Sequence, residues 1–108
     1  MIAVIFEVTV NEGVGQRYFD LAGELRPELE KIDGFLSIER FESLVNPGKY
    51  VSLSFWRDED AVKRWREHAG HMLAQEEGKR SVFADFRISV AEVSRQYTLA
   101  DRRAEAGG

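Results

Sequence analysis

The chain contains no cysteine, only two prolines and no long uninterrupted apolar run. Without cysteine it can form no disulfide framework, thiolate nucleophile or iron-sulfur ligation, which agrees with a reducing cytoplasm. Nothing approaches the roughly 20 consecutive apolar residues of a membrane-spanning helix. The net charge of -4 gives no general attraction to nucleic acid or to anionic lipid. We therefore expect a cytoplasmic protein with neither a nucleic acid nor a membrane as its partner.

What the chain does contain is enough apolar sequence for one globular domain. Its 108 residues are 44% apolar and 31% charged, which is ordinary for a soluble fold with one hydrophobic core. The apolar spacing predicts strands at 2–10, 35–43, 50–56 and 83–97, and helices at 16–31 and 58–79. The domain then covers 1–97. The remaining segment, 98–108, lacks apolar periodicity and is predicted to be a disordered tail.

Two residues inside the predicted helices indicate irregularities. Pro27 lacks an amide donor, so a kink near Arg26 or a new helical segment starting at Pro27 is expected. Gly70 is expected to interrupt the second helix before a short continuation from His71 to Lys79. The second helix has a good N-cap in Asp58.

The order strand, helix, strand, strand, helix, strand is that of the ferredoxin-like α+β fold, a split βαββαβ antiparallel sheet with both helices on one face. Turn residues at 45–48 predict that the second and third strands form an antiparallel hairpin. The other face of the sheet would be left bare, because apolar residues occupy both parities of the first and third strands. A second identical subunit is the simplest cover, so we expect a homodimer whose two sheets enclose an α/β barrel.

Three features carry a resemblance to a known family. They are the spacing of Trp56 and Trp65, the helix-to-strand turn Ile32-Asp33-Gly34-Phe35, and the run FADFRI at 83–88 followed by VAEV at 90–93. Over residues 2–97 the chain resembles the antibiotic biosynthesis monooxygenase family of dimeric α/β barrels. The resemblance implies the fold given above. It also implies a choice of activities, since the family includes cofactor-free oxygenases of aromatic polyketides, haem-degrading enzymes and members of unassigned function.

The cofactor-free interpretation requires a pocket that holds a phenolic substrate, favours its deprotonation and excludes water while the anion meets dioxygen. Trp65 would supply the aromatic wall of this pocket. His68 or His71 would take the proton, and Arg80 or Arg87 would stabilise developing oxyanions. Ordinary packing competes with these roles.

Two of the competing roles are specific. Trp65 shares its helix face with Ala61 and Val62 and would then belong to the core. Arg87 lies two residues from Asp85 on the same strand face and would then form a surface ion pair. An amide that orients the substrate would come from Gln75 or Gln96, because the asparagines lie in predicted turns.

The haem-degrading interpretation is compared position by position. By the same resemblance, such members carry an asparagine on the first strand, a tryptophan in the second helix and, further along, a histidine that ligates iron. Trp65 matches the tryptophan, whereas the asparagine position falls on Phe6 and the ligand position on Gln75. His68 and His71 precede Gln75 and would reach the same pocket only on a continuous helix. We therefore expect no bound cofactor and no metal.

The leading prediction is a cofactor-independent monooxygenase that acts on an aromatic or phenolic small molecule. Its candidate catalytic residues are Trp65, His68, His71, Gln75 and Arg80. The alternatives are a non-catalytic ligand-binding or stress-related module, favoured by a cavity with apolar side chains alone, and a haem-binding or haem-degrading monooxygenase. A cavity in which His71, Gln75 and an arginine converge beside Trp65 would favour the enzyme.

Overall fold

The computed structural model describes residues 1–13, 15–77 and 83–107, with side chains described for all of these except 71–77, 83 and 105–107. The elements follow one another as β1 (Ile2–Val10), α1 (Gly15–Glu30), β2 (Phe35–Glu42), β3 (Lys49–Trp56), α2 (Glu59–Glu77), β4 (Phe83–Glu92) and α3 (Leu99–Gly107). Among the described residues, none of the helices combines the length and the apolar character needed to cross a membrane.

The four strands form one antiparallel sheet in the order β2-β3-β1-β4. β2 and β3 are neighbours, which confirms the predicted hairpin, and β1 lies between β3 and β4. The two edges of the sheet are therefore β2 and β4. This order of strands, with helices between them, confirms the ferredoxin-like α+β fold.

Both α1 and α2 pack on the same face of the sheet, which we call the helix side. Even-numbered residues of β1 point to this side, where Ile2 and Val8 are buried. One core cluster combines residues of both helices with the sheet: Ile2, Leu29, Trp56, Ala61 and Val62. A second cluster lies under the start of α1: Val8, Tyr18 and Leu21. Full burial of a large apolar side chain contributes about 1.5–3 kcal/mol, so these clusters hold both helices on the sheet.

The opposite face carries the odd-numbered residues of β1 and β3. Ile5, Leu53 and Phe55 are half-buried there, and Phe41 of β2 is 46% exposed. The sequence predicted apolar side chains at both odd and even positions of these strands, and the structure accordingly has apolar residues on both faces of the sheet. This face is the one that a second subunit would cover.

A tight turn between α1 and β2 fixes the start of α2. Gly34 has a φ of 98°, and a Cβ at this position would lie 2.6 Å from the Ala61 Cβ. The Gly34 carbonyl accepts a hydrogen bond from the Arg57 amide at 2.7 Å. Asp58 caps α2 as predicted, since its Oδ1 accepts from the Ala61 amide at 2.9 Å. The close approach at Gly34 therefore seats the first turn of α2 against the end of α1.

Neither helix is divided where the sequence predicted an irregularity. α1 is a single helix that contains Pro27, so no new segment starts there. Leu21 and Leu29 are buried before and after Pro27, and their packing holds both parts of α1 on the sheet. α2 continues through Gly70, so the predicted interruption is wrong. A glycine costs a helix only about 1 kcal/mol relative to alanine, which tertiary packing overcomes.

β4 is shorter than predicted because it ends at Glu92 instead of residue 97. Its neighbour β1 begins at Ile2, which pairs with Glu92, so later residues have no strand beside them. After it, where the sequence predicted a frayed tail, the structure has α3. Thr98 and Asp101 form a reciprocal capping box, each backbone amide donating to the other's side chain at 3.1 Å. Local capping thus favours a helix without apolar periodicity.

Candidate functional site

The helix-side face of β4 carries an apolar strip that the described part of α2 leaves uncovered. The strip consists of Phe86, Ile88 and Val90, which are 55%, 52% and 45% exposed. These residues pair with Val8, Phe6 and Val4 of β1, which point to the helix side. The strip and the inner face of β1 therefore form one apolar surface on the helix side of the sheet, which we call the β4 cleft.

An aromatic contact joins the two strands of this surface. The Phe6 and Phe86 rings lie 5.8 Å apart at an angle of 51°. Such tilted pairs stabilise by about 0.5–1.5 kcal/mol beyond their buried area. Phe6 occupies the position where the haem-degrading pattern has an asparagine, so the surface is apolar at that point.

Two tryptophans stack at one end of the helix-side core. Trp56 is fully buried, and its ring centroid lies 6.3 Å from that of Trp65 with an interplanar angle of 24°. The Trp56 indole Nε1 donates to the Ser54 hydroxyl at 2.9 Å, which satisfies the polar atom of the buried ring. Trp65 is partly buried against the core, as its packing interpretation predicted. Its remaining surface is available to a ligand.

His68 lies beside Trp65 and faces a carboxylate on the other helix. The two ring centroids are 6.2 Å apart, and His68 Nε2 is 3.6 Å from Glu28 Oε2 on α1. The same Glu28 oxygen is 3.5 Å from Lys31 Nζ. Sequence reasoning missed Glu28, because nothing in the spacing of α1 and α2 reveals which residues of the two helices meet. His68 and Glu28 therefore form a polar pair beside the partly exposed ring of Trp65.

The other candidate residues lie at or beyond the end of what is described. α2 carries His71 and Gln75 on the same continuous helix as Trp65, since Gly70 does not break it. The side chains of His71 and Gln75 are outside the described residues, and so is Arg80 altogether. Their convergence beside Trp65 therefore stays a prediction.

Arg87 is on the opposite face of the sheet and does not enter the β4 cleft. Its Nε donates to Glu7 Oε2 at 2.7 Å, and Lys49 Nζ lies 3.5 Å from the other Glu7 oxygen. The hydrogen bond from Arg87 lowers the pKa of Glu7, and the same bond raises the pKa of Arg87. Arg87 forms the predicted surface ion pair, but it does so with Glu7 on the neighbouring strand β1 instead of with Asp85. Arg87 is therefore not a cation of the candidate site.

An open cavity of about 310 Å³ adjoins the strip where β4 ends and α2 begins. It is lined by Met1, Ile2, Arg57, Asp58, Glu59, Val90, Ala91 and Glu92. We call its charged side chains, Arg57, Asp58, Glu59 and Glu92, the rim. The rim thus has three carboxylates and one guanidinium. Val90 belongs to both the strip and the cavity lining, so the two are continuous.

The guanidinium of the rim is held by carboxylates of its own chain. Arg57 donates to both oxygens of Asp33, at 3.2 and 3.0 Å, and to Asp58 at 3.3 Å. The hydrogen bonds from Arg57 lower the pKa of Asp33, and those to Asp33 and Asp58 raise the pKa of Arg57. The pKa of Asp58 is lowered first by its bond from the Ala61 amide and then by Arg57. All three groups are therefore ionised at neutral pH.

The described residues do not fit a metal or a haem. Within them, no three His, Cys, Asp or Glu side chains cluster as metal ligands would. His68, the histidine whose side chain is described, faces Glu28 of α1, and Phe6 offers an apolar ring in place of an amide. A haem ligand would thus have to come from outside the described side chains.

Residues 1–77 match the family model described as antibiotic biosynthesis monooxygenase. The chain belongs to this family. A protein of Pyricularia oryzae named jasmonate monooxygenase ABM is 46% identical over 94 residues, which cover 87% of this chain and 44% of that protein. YqjZ of Bacillus subtilis is 33% identical over 63 residues, covering 58% of this chain and 54% of that one. The chain therefore spans about half the length of these curated relatives.

Several solved structures have the same fold as this chain. SnoaB from Streptomyces nogalater, described as a cofactor-independent oxygenase, aligns with a TM-score of 0.73 at 16% identity, covering 88% of this chain and 94% of that one. A second structure is that of the haem degrader MhuD from Mycobacterium tuberculosis with two haems in its active site. It aligns with a TM-score of 0.68 at 19% identity, and the alignment covers 91% of this chain and 100% of that one. Both likenesses concern the fold, since the identities are low.

Proposed function

We propose that the chain is a cofactor-independent monooxygenase that acts on an aromatic or phenolic small molecule in the β4 cleft. The observation that carries this proposal is the uncovered strip of Phe86, Ile88 and Val90 on the same face as Trp65 and His68. A monomeric core has no reason to leave three large apolar side chains half-exposed on its inner face. A flat apolar ligand would cover them.

The comparisons support the proposal at the level of the reaction. The Pyricularia oryzae relative at 46% identity is named as a monooxygenase. SnoaB, which has the same fold, is described as a cofactor-independent oxygenase. In the proposal, the electrons for the reaction come from the substrate itself. An electron-rich phenolate donates electrons to dioxygen once its proton has been removed.

The chemistry balances without an external reductant. When an anthrone methylene is oxidised to a carbonyl, one atom of dioxygen becomes the carbonyl oxygen and the other leaves as water with the two hydrogens. The chain's part is to bind the ring, to take a proton and to exclude water. In our proposal Trp65 and the strip bind the ring. His68, held beside Glu28, or His71 takes the proton, and Gln75 and Arg80 orient the substrate and its developing oxyanion.

Oxygen uptake with a hydroxylated anthrone or a naphthol tests the reaction. We expect oxygen uptake that depends on the enzyme and is lost in Trp65→Phe. This variant keeps an apolar ring, but the ring is smaller and offers less aromatic surface to the substrate. Ser89→Ala, on the opposite face of β4, is the matched control and should keep full activity. Substrate binding without uptake in the wild type would instead favour the non-catalytic binding module.

A haem titration followed by optical absorbance belongs in the same experiment. The proposal predicts no stoichiometric Soret shift, because the iron-ligand position of the haem-degrading pattern falls on Gln75 in this chain. A Soret shift that is abolished in His71→Ala would replace the proposal by the haem-binding alternative.

A second candidate substrate follows from the relative at 46% identity, which is named for jasmonate. Jasmonate has a small ring and an apolar chain, and the strip would accept either. Jasmonate and its methyl ester therefore join the naphthol in the uptake assay, with product detected by the replacement of two hydrogens by one oxygen atom, which is the change that one dioxygen supports without a reductant. Turnover of jasmonate without turnover of the phenols would replace the aromatic substrate class by this one.

We also propose that two copies of the chain assemble through the opposite face of the sheet. Ile5, Leu53 and Phe55 are half-buried there and Phe41 is exposed, so a second sheet would bury a continuous apolar surface. Light scattering on the purified protein should give twice the chain mass. Leu53→Asp should reduce the mass to that of one chain, whereas Ile88→Asn, on the helix side, should not. A wild-type monomer at micromolar concentration would contradict the dimer.

A further inference from the structure

We infer that the β4 cleft selects uncharged over anionic ligands, so that its substrate enters as a neutral molecule with an elongated apolar body. This inference rests on the proposed function, because it concerns the substrate of the same site. It follows from two features: the apolar strip and the acidic rim at the strip's end.

The strip sets the shape and polarity of the ligand's body. From residue 86 to residue 90 the strand rises by about 13 Å, and each side chain that points to the cleft along this length is apolar. The Phe6 ring against Phe86 continues this surface onto β1. A ligand lying along the strip would therefore meet hydrocarbon over a length that more than accommodates two fused aromatic rings or a short acyl chain.

The adjoining cavity sets the size of the part that extends beyond Val90. Its volume of about 310 Å³ is at the lower end of the range for small-molecule pockets, roughly 300–1,000 Å³. It can hold the polar end group of a ligand whose body lies on the strip. The cavity and the strip share Val90, so one molecule can occupy both.

The rim determines which ligand charge the cavity accepts. Three of its four side chains, Asp58, Glu59 and Glu92, are carboxylates. The remaining one, Arg57, already donates to both oxygens of Asp33 and to Asp58. A ligand carboxylate entering the cavity would face the rim's negative charge and would have to displace Asp33 or Asp58 to reach the guanidinium. A hydroxyl or a neutral carbonyl pays no such electrostatic cost.

Calorimetric titration with a matched pair of ligands tests this selectivity. Methyl 2-naphthoate and 2-naphthoate share one apolar body, and at pH 7.5 only the acid is charged, since carboxyl groups titrate near pH 4. We expect the ester to bind at least about tenfold more tightly than the anion, which corresponds to about 1.4 kcal/mol. Equal affinities, or tighter binding of the anion, would overturn the inference.

Neutralising the rim tests the cause. The double variant Glu59→Gln and Glu92→Gln should reduce the ratio of ester affinity to anion affinity, chiefly by improving the anion's affinity. Asp58 is left in place because it caps α2. If the ratio stays at its wild-type value in this double variant, the rim is not the source of the selectivity and the inference fails.

Neighbouring residues of β4 test the location. Ile88 and Ser89 are both exposed and point to opposite faces of the sheet. Ile88→Asn should weaken ester binding at least about tenfold, whereas Ser89→Asn should leave it unchanged. Val90→Asn is the second variant on the helix side, in case Ile88→Asn folds poorly by circular dichroism. Equal effects of the substitutions on both faces would overturn the inference.

The outcomes separate this inference from the proposed function. Ester binding that depends on Ile88, with a preference over the anion that depends on the rim, supports the selectivity; if no phenol gives oxygen uptake in the same preparation, the phenol monooxygenase is refuted. Oxygen uptake from a phenol, with ester and anion bound equally, supports the monooxygenase and refutes the selectivity.

Discussion

The two halves of the helix-side face contain similar residues but differ in what covers them. At the β3 and β1 half, Trp56 and Val8 are fully buried under the two helices. At the β4 half, Phe86 and Ile88 are more than half exposed, although they belong to the same sheet and the same face. The difference teaches that apolar character alone does not assign a residue to the core. In the first half it contributes to stability, and in the second half we assign it to ligand binding.

The largest effect is expected in the covered half. Trp56→Ala removes a fully buried indole and should cost about 3–5 kcal/mol of unfolding free energy, measured by urea denaturation. Trp56→Phe keeps an aromatic ring but loses the bond to Ser54, and should fall between the wild type and Trp56→Ala. A loss below about 1 kcal/mol for Trp56→Ala would show that this half is not the stabilising one.

The turn under α2 should give the next effect. Gly34→Ala places a Cβ against Ala61 at a positive φ, and should cost at least about 1–3 kcal/mol. Gly13→Ala is the matched control, because its φ is also positive at 84° but no atom lies within 4 Å of the added Cβ. The difference between the two variants in urea denaturation measures the contact with Ala61. Equal losses would mean that α2 does not rest on Gly34 as described.

The uncovered half should give a small effect on stability. Phe86→Ser removes a side chain that is 55% exposed and contacts Phe6, and should cost about 1–2 kcal/mol, less than Trp56→Ala, because about half of its surface is already exposed. The same variant should weaken binding of methyl 2-naphthoate. A stability loss as large as that of Trp56→Ala would indicate that β4 belongs to the core after all.

The smallest effect concerns the ion pair on the opposite face. Because Arg87 lowers the pKa of Glu7 in the folded state, the pair stabilises fully above the unfolded-state pKa, near 4.3, and its contribution is lost as the pH falls through the lower folded-state value. Glu7→Gln should therefore be less stable than the wild type at pH 7, and the difference should shrink as the pH falls below about 4.3. A constant difference between pH 7 and pH 3 would contradict this assignment.

The sequence predicted the features that local residues determine. The alternation of β1, the turn at Gly48 and the cap at Asp58 each depend on a few neighbouring residues, and the structure confirms them. The capping box of Thr98 and Asp101 is equally local, and attention to it would have predicted α3. Apolar periodicity alone missed it.

Contacts between distant segments were beyond prediction from the sequence. Glu28 meets His68 only because α1 and α2 cross at that point, and Glu7 meets Arg87 only because of the register of β1 and β4. The end of β4 depends in the same way on where β1 begins. Sequence reasoning named Trp65 and His68 as candidates, and it left Arg87 open between an oxyanion-stabilising role and a surface ion pair because the parity of β4 relative to the helices was unknown.

The most direct test of the central claim is a nuclear Overhauser experiment on methyl-labelled protein with bound methyl 2-naphthoate. The account predicts contacts from the naphthalene protons to the methyl groups of Ile88 and Val90, and none to those of Val51 and Leu53 on the opposite face. Contacts to Val51 and Leu53 without contacts to Ile88 would show that the ligand binds the other side of the sheet, and would contradict the assignment of the β4 cleft as the site.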